Sequence, residues 1–240
     1  EARARQGAAA VMAEFQRLHD LLHAWQPSKL SELNRAIAEG RDLLLPPELV
    51  FMLQDAEQFA RQSGGSFEPA IGSLIALWGF HNDTFKAELP DSKKIAALLA
   101  AHPQTTDLVF TPVAEGDRVG SRNRAVKLDL GGFAKGYALD RAAELLQQQG
   151  IHNALINIGG NVLALGTHGK RAWRVGIQHP RKPGALATLE LQDGEAVGTS
   201  GDYQRYFELD GKRYCHVLDP RSGWPVQGVQ AVTVLTRGER

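Results

Sequence analysis

The stretch LDLGGFAKGYALDRAAE, residues 128–144, changes periodicity midway. Leu128 and Leu130 alternate with Asp129 as in an extended chain, where neighbouring side chains face opposite ways. A glycine pair follows, then Lys135 and apolar residues at helical spacing. A chain that changes period at a glycine pair must join an extended segment to a helix there. On the two sides of this junction the sequence shows two different kinds of pattern.

Upstream, helical spacing dominates. Phe15, Leu18, Leu22 and Trp25 share one face of a helix that Pro27 ends. A second short helix is predicted over 30–37. A third opens at Pro46-Pro47, buries Val50, Leu53, Ala56 and Ala60, and closes at Gly64-Gly65. A fourth covers 92–101 and stops before Pro103. Extended runs follow at 107–113 and 125–130, broken by Gly116-Asp117 and Gly120-Ser121. A helix is predicted over 136–149, with Leu139, Ala142 and Leu146 on one face and Gly150 after its end. Further strands are predicted at 154–158 and 161–165 around Gly159-Gly160, and at 173–177, 187–191, 205–209, 214–218 and 230–235. Asp-Gly turns at 193 and 210 favour antiparallel pairing. The class is α+β, with a helix-rich N-terminal half and a largely antiparallel, sheet-rich C-terminal half.

Composition narrows the function classes. The 240 residues are 43% hydrophobic, and 27 basic residues balance 27 acidic ones. The basic excess usual in nucleic-acid binders is therefore absent, and no nucleic-acid partner is expected. The longest near-apolar run, IGSLIALWGF at 71–80, is half the length needed to span a bilayer. A single cysteine, Cys215, excludes an internal disulfide framework and a cysteine zinc cluster. The chain opens on EARARQ, without Met or an apolar stretch, so a mature or engineered start is expected.

Four stretches carry candidate chemistry. At 128–135, glycines let backbone approach a ligand, a helix N-terminus favours anions, and Lys135 adds positive charge. Asp129 suits a hard cation or a ligand donor. Together these fit a phosphate ester with a metal, and equally a tight turn with a solvated Asp and Lys. Neither a Walker loop nor a GxGxxG fingerprint is present. NIGGNV at 157–162 has the form of a hairpin turn. GTSGDYQRYF at 198–207 is a polar loop or a site and does not fit GxSxG. HVLDPRSGWP at 216–225 sets His216 and Asp219 near a strand end. His19 and His23 have a helical metal-ligand spacing but no HExxH and no evident third ligand, which favours a solvated pair.

In order, DLGGFAKGYALD, ALINIGGNV, WRVGIQHP, AVGTSGDYQRYF and HVLDPRSGWP resemble the blocks of the FAD:protein FMN transferases, the ApbE-type flavin transferases. LLHAWQPSKLSELN and GGSFEPAIGSLIALWGF match the family's earlier blocks, so the resemblance covers nearly the whole chain. It implies one flavin transferase domain over 1–240, arranged around an FAD cleft. It also implies magnesium-dependent transfer of FMN from FAD, the substrate, to a Thr or Ser hydroxyl of an acceptor protein, with release of AMP. Subunits of membrane redox complexes are examples of such acceptors.

By motif position, the resemblance places Asp129 and Lys135 at the FAD, and Gly132 at the metal through its main-chain carbonyl. Ser66, Phe67 and Glu68 would line the FAD, Glu68 standing where the family usually has Asp. Trp25 stands where the family often has Tyr against the ligand. His216 matches the catalytic base, and Leu218 a backbone contact to FAD. The resemblance further implies that the sequence is incomplete at both termini. A strand with a Met-Gly element would precede it, and an Asp-Ala-x-x-Thr element with metal ligands would follow Arg240. The family suggests a periplasmic protein, or one on the outer face of the cell membrane, peripherally attached through a lipid anchor. Two alternatives use the same residues: an FAD pyrophosphatase with water as nucleophile, and a flavin-binding protein without catalysis.

Overall fold

The computed structural model describes residues 1–237, so the last three residues of the expected 1–240 domain lie outside them. In chain order the elements are α1 (Ala2–Leu22), α2 (Lys29–Ala38), β1 (Leu43–Leu45), α3 (Pro47–Gln62), α4 (Gly72–Leu77) and α5 (Ser92–Ala101). A 3-10 turn (Thr105–Asp107), β2 (Leu108–Val113), β3 (Gly116–Ser121) and α6 (Gly131–Gln148) follow. Then come β4 (Ala154–Ile158), β5 (Asn161–Leu165), β6 (Trp173–Gln178), β7 (Ala185–Leu191), β8 (Glu195–Gly201), β9 (Tyr206–Leu209), β10 (Lys212–Cys215) and β11 (Ala231–Arg237). Every ladder between these strands is antiparallel, as the α+β reading requires. The elements form two compact units interleaved along the chain.

The first unit comprises Glu1–Leu18, Phe133–Gln204 and the chain from Gln227. Its centre is a four-stranded sheet in the order β11-β8-β5-β4. Period-two alternation gives the sheet two apolar faces. Ile156, Leu163 and Leu165 pack on Val11 of α1 and on Leu139, Ala142 and Leu146 of α6. Val162, Ala164 and Val197 pack on Leu191, with Trp173, Val175 and Leu189 of the β6–β7 hairpin alongside. A helix layer and a hairpin layer therefore flank one sheet. Gly159 and Gly160, at φ 55 and 89, make the β4–β5 turn, as the hairpin reading of NIGGNV expects.

The second unit comprises His19–Gly132 and Arg205–Val226. Here β1, β3 and β2 form a sheet with β3 in the middle. An aromatic core joins α4 and α5 to the β9–β10 hairpin: Trp78, Phe80, Phe207, Tyr214 and Leu218 cluster with Leu74 and Ile95. Trp78 lies 5.8 Å from Tyr214 and 5.1 Å from Trp224, ring to ring, and its Nε1 donates to the Gly223 carbonyl. Gly223 has φ 71, and a Cβ there would lie 2.7 Å from Ile95 Cγ2. Only glycine meets both demands.

Several elements differ from the sequence expectation. α1 ends at Leu22 and not beyond Trp25, because the His23 Nδ1 accepts from the main-chain N–H groups of Trp25 and Gln26 and turns the chain. Residues 125–130 form no strand of a sheet, and within them Lys127 makes an isolated parallel bridge to Ile71. The Asn34 side chain of α2 takes the place of a neighbouring strand, donating to Leu128 O at 2.9 Å and accepting from Leu128 N at 2.7 Å. Gly72 N donates to Lys127 O, at a point where a Cβ on Gly72 would sit 2.6 Å from that oxygen. α6 starts at Gly131, five residues before the expected 136, so the glycine pair is its first turn. β1, α4, β3 and β8 were not expected. Gly116 and Gly120, taken as breaks, lie inside β3, and Gly198 and Gly201 lie inside β8.

Candidate functional site

Most of the residues that the resemblance points to belong to the second unit, and several of them meet at the start of α6. Asp129 is placed by its own backbone, whose N–H donates to the Pro69 carbonyl. Its Oδ1 accepts from the Gly131 amide at 2.8 Å, an Asx turn that opens the helix. Its Oδ2 accepts from the Trp25 indole at 3.1 Å, across 104 residues of sequence. Trp25 is held further by the Lys127 ammonium, 4.4 Å from its ring centroid, and by the His81 ring, tilted at 5.4 Å. Such a cation–π contact contributes about 0.5–1 kcal/mol at an exposed site. A Cβ on Gly132 would lie 3.3 Å from the Phe67 ring, so glycine lets the helix start lie against that aromatic face.

The segment 66–68 has two characters. Ser66 is exposed and Phe67 half-buried, its N–H donating to the Ser63 hydroxyl. Glu68 is buried at 9% exposure. Its Oε1 accepts from the N–H groups of Ala70 and Thr105 and from the Thr105 hydroxyl, so it clamps Pro69-Ala70 to the turn before β2.

His216 directly follows β10, and its N–H donates to the Arg205 carbonyl at 3.0 Å. The His216 Nδ1 lies 3.3 Å from the same oxygen. Leu218 is buried in the aromatic core and bridges to Pro225. Asp219, the next residue, turns its carboxylate to Arg221, whose guanidinium and N–H hold it below the ordinary Asp value of 3.8. Lys135 belongs to the first unit, where its Cδ lies 3.6 Å from where a Cβ on Gly159 would be.

Thus the second unit brings Trp25 to Asp129 and Phe67 to Gly132, while His216 is seated separately on the β9–β10 hairpin. Sequence reasoning missed Lys127, His81 and Asn34, and had Arg205 only as part of the polar stretch 198–207. Lys127 had a usable signal, since it shares a face with Asp129 in an extended run. The others act through main-chain atoms or rings distant in sequence, and no local pattern marks them.

Among the described residues, no group of three or more His, Cys, Asp or Glu side chains could hold a metal, and no helix is long and apolar enough to cross a membrane. The oxygens of Asp129 and the Gly132 carbonyl are the hard donors that magnesium prefers. This ion is commonly held by one or two carboxylates, with waters and substrate phosphates completing its shell. The donor types fit, with the remaining positions left to the substrate.

Comparison with known proteins identifies the family. The model of the ApbE family matches residues 2–240. An FAD:protein FMN transferase of Rhodobacter capsulatus is 44% identical over 98% of this chain and 44% of its own length. One of Klebsiella pneumoniae is 38% identical, over 95% of this chain and 70% of its own. The chain thus spans less than half of the first of these relatives and about 70% of the second. The crystal structure of an ApbE protein from Thermotoga maritima has a TM-score of 0.88 at 33% identity, covering 97% of this chain and 74% of that one. The apo flavinyl transferase ApbE of Pseudomonas stutzeri has a TM-score of 0.81 at 31% identity, covering 97% and 72%. A family model matched over nearly every residue, with relatives well above 30% identity on the same span, establishes that the chain belongs to the ApbE family.

Proposed function

We propose that the protein is an FAD:protein FMN transferase, moving FMN from FAD to a Thr or Ser hydroxyl of an acceptor protein, with AMP as leaving group and magnesium as cofactor. The observation that supports it most is the meeting of Trp25, Asp129, Phe67 and Gly132 at the start of α6, in a chain of the ApbE family. In this reading Phe67 and Trp25 offer aromatic surface to the flavin nucleotide. Asp129 is held in one orientation by the Trp25 and Gly131 donors, so its remaining lone pairs are aimed without further ordering cost. Lys135 supplies positive charge to the ligand. The Asp129 and Gly132 oxygens would hold magnesium, which would supply charge neutralisation at the pyrophosphate.

The reaction needs a proton removed from the acceptor hydroxyl. His216 takes that proton as the hydroxyl oxygen bonds to the FMN phosphorus. The bond from that phosphorus to the bridging oxygen breaks, and AMP leaves with that oxygen. FAD binds more tightly than FMN or NAD, because both halves of the dinucleotide are held. We place the protein in the periplasm or on the outer face of the cell membrane, in keeping with the resemblance.

The test incubates the protein with FAD, magnesium and an acceptor domain carrying a Thr, then weighs the products. One FMN is gained by the acceptor and AMP is released, and chelation of magnesium stops both. His216→Ala lowers transfer by about a hundred- to ten-thousand-fold while FAD binding stays near its original level. Equally fast release of FMN and AMP without acceptor would replace the proposal with a pyrophosphatase. Full transfer by His216→Ala would remove His216 from the mechanism.

A further inference from the structure

We propose that Arg205 is a positioning residue for the transfer reaction: its carbonyl sets the tautomer of His216, and its guanidinium ties the segment carrying His81 to the same point. The inference rests on His216 acting as the base, as proposed above.

Arg205 directly precedes β9, and the last residue pair of the β9–β10 ladder is Tyr206 with Cys215. Pairing runs one step further, since His216 N–H donates to the Arg205 carbonyl at 3.0 Å. The same oxygen lies 3.3 Å from His216 Nδ1. A carbonyl oxygen only accepts, so Nδ1 is the protonated nitrogen. In the neutral ring the proton-accepting nitrogen is then Nε2. One oxygen thus fixes both the backbone and the ring of His216.

The side chain of Arg205 works in another direction. Its Nη2 donates to the Phe80 carbonyl at 2.6 Å and to the Asn82 carbonyl at 3.1 Å, the two residues flanking His81. The guanidinium also lies 5.4 Å from the Phe85 ring centroid. His81 in turn tilts on Trp25, which holds Asp129. A contiguous set of contacts therefore runs from the His216 ring through Arg205 to the Trp25–Asp129 pair, all within one unit. A planar guanidinium that bonds two carbonyls and covers a ring cannot be replaced by an ammonium without loss.

The test compares Arg205→Gln, Arg205→Lys, His216→Ala and the Arg205→Gln/His216→Ala double variant in the FMN-transfer assay, with thermal unfolding of each. Arg205→Gln is expected to lower kcat by at least about tenfold and to shift the acid limb of the pH–rate profile, with Arg205→Lys in between. The double variant should be no slower than His216→Ala alone, because a positioning residue acts through the base. Multiplicative losses in the double variant, or an unshifted profile and unchanged kcat in a folded Arg205→Gln, would overturn the proposal while leaving His216 as the base. Full activity in His216→Ala would instead sink the functional reading beneath it. Nitrogen-15 NMR of the wild-type imidazole provides a check independent of folding of the variants. An Nδ1–H tautomer supports the proposal, and an Nε2–H tautomer refutes it.

Discussion

Asn34→Ala should be one of the most damaging single changes to the second unit, although the residue touches no expected ligand. Asn34 is 7% exposed and bonds both main-chain groups of one buried residue, donating to Leu128 O and accepting from Leu128 N. Its truncation strands a buried donor and a buried acceptor. Each such orphan costs about 1–3 kcal/mol, so the pair costs about 2–6 kcal/mol. At roughly 2–4 °C per kcal/mol for a chain of this size, a mid-range loss of about 4 kcal/mol lowers Tm by about 8–16 °C. Asn34→Asp keeps the acceptor but sets a carboxylate against the Leu128 carbonyl, and should do no better. Arg5→Ala, which removes an ion pair whose side chains are 79% and 81% exposed, serves as the control and should stay within about 0.5 kcal/mol. The assay is urea unfolding followed by far-UV circular dichroism, with FAD titration alongside. Because Leu128 adjoins Asp129, Asn34→Ala should also weaken FAD binding. A loss below about 1 kcal/mol would show that the extended segment is held by something other than Asn34 and refute the argument.

Two further predictions follow from local geometry. Gly223→Ala must hold φ 71 and place a Cβ 2.7 Å from Ile95 Cγ2, so it should cost about 2–4 kcal/mol in thermal unfolding, whereas Gly211→Ala, which has the same need for positive φ but open space, should cost only about 1 kcal/mol. Asp219, whose carboxyl titrates below 3.8 because Arg221 donates to it, binds its proton less readily folded than unfolded. Its contribution is therefore present above 3.8 and lost as pH falls through the lower folded value, so Asp219→Asn should flatten the acid limb of the stability curve in an acid titration.

Local spacing and local stereochemistry account for the elements that are legible in the chain. The apolar stripe of Val50, Leu53, Ala56 and Ala60 specifies α3 because those residues fall on one helical face, and all four are buried. Ser92–Ala101 is α5 as expected, with Asp91 capping its N-terminus through Lys93 N. The β4–β5 hairpin needs glycines at positive φ, and NIGGNV provides them at the required positions. The ordered motifs carried the family, because their residues and sequence order are visible without the fold.

Elsewhere a partner distant in sequence satisfies a backbone group or a side chain, and the outcome depends on the folded path of the chain. Residues 125–130 have a strand's alternation yet join no sheet: Lys127 makes only an isolated parallel bridge to Ile71, and an asparagine 94 residues upstream bonds both main-chain groups of Leu128. Trp25 continues the helical stripe of α1 but leaves the helix, because His23 turns the backbone and Asp129 accepts from the indole. β3 and β8 contain glycines that locally signal breaks, and pairing on both sides of each strand holds them extended. Glu68 matches a motif that lines the ligand, but the fold buries its carboxylate against Thr105. The physical reason is the same in each case. Buried donors and acceptors must be satisfied somewhere, and the chain's three-dimensional path determines which distant group meets them.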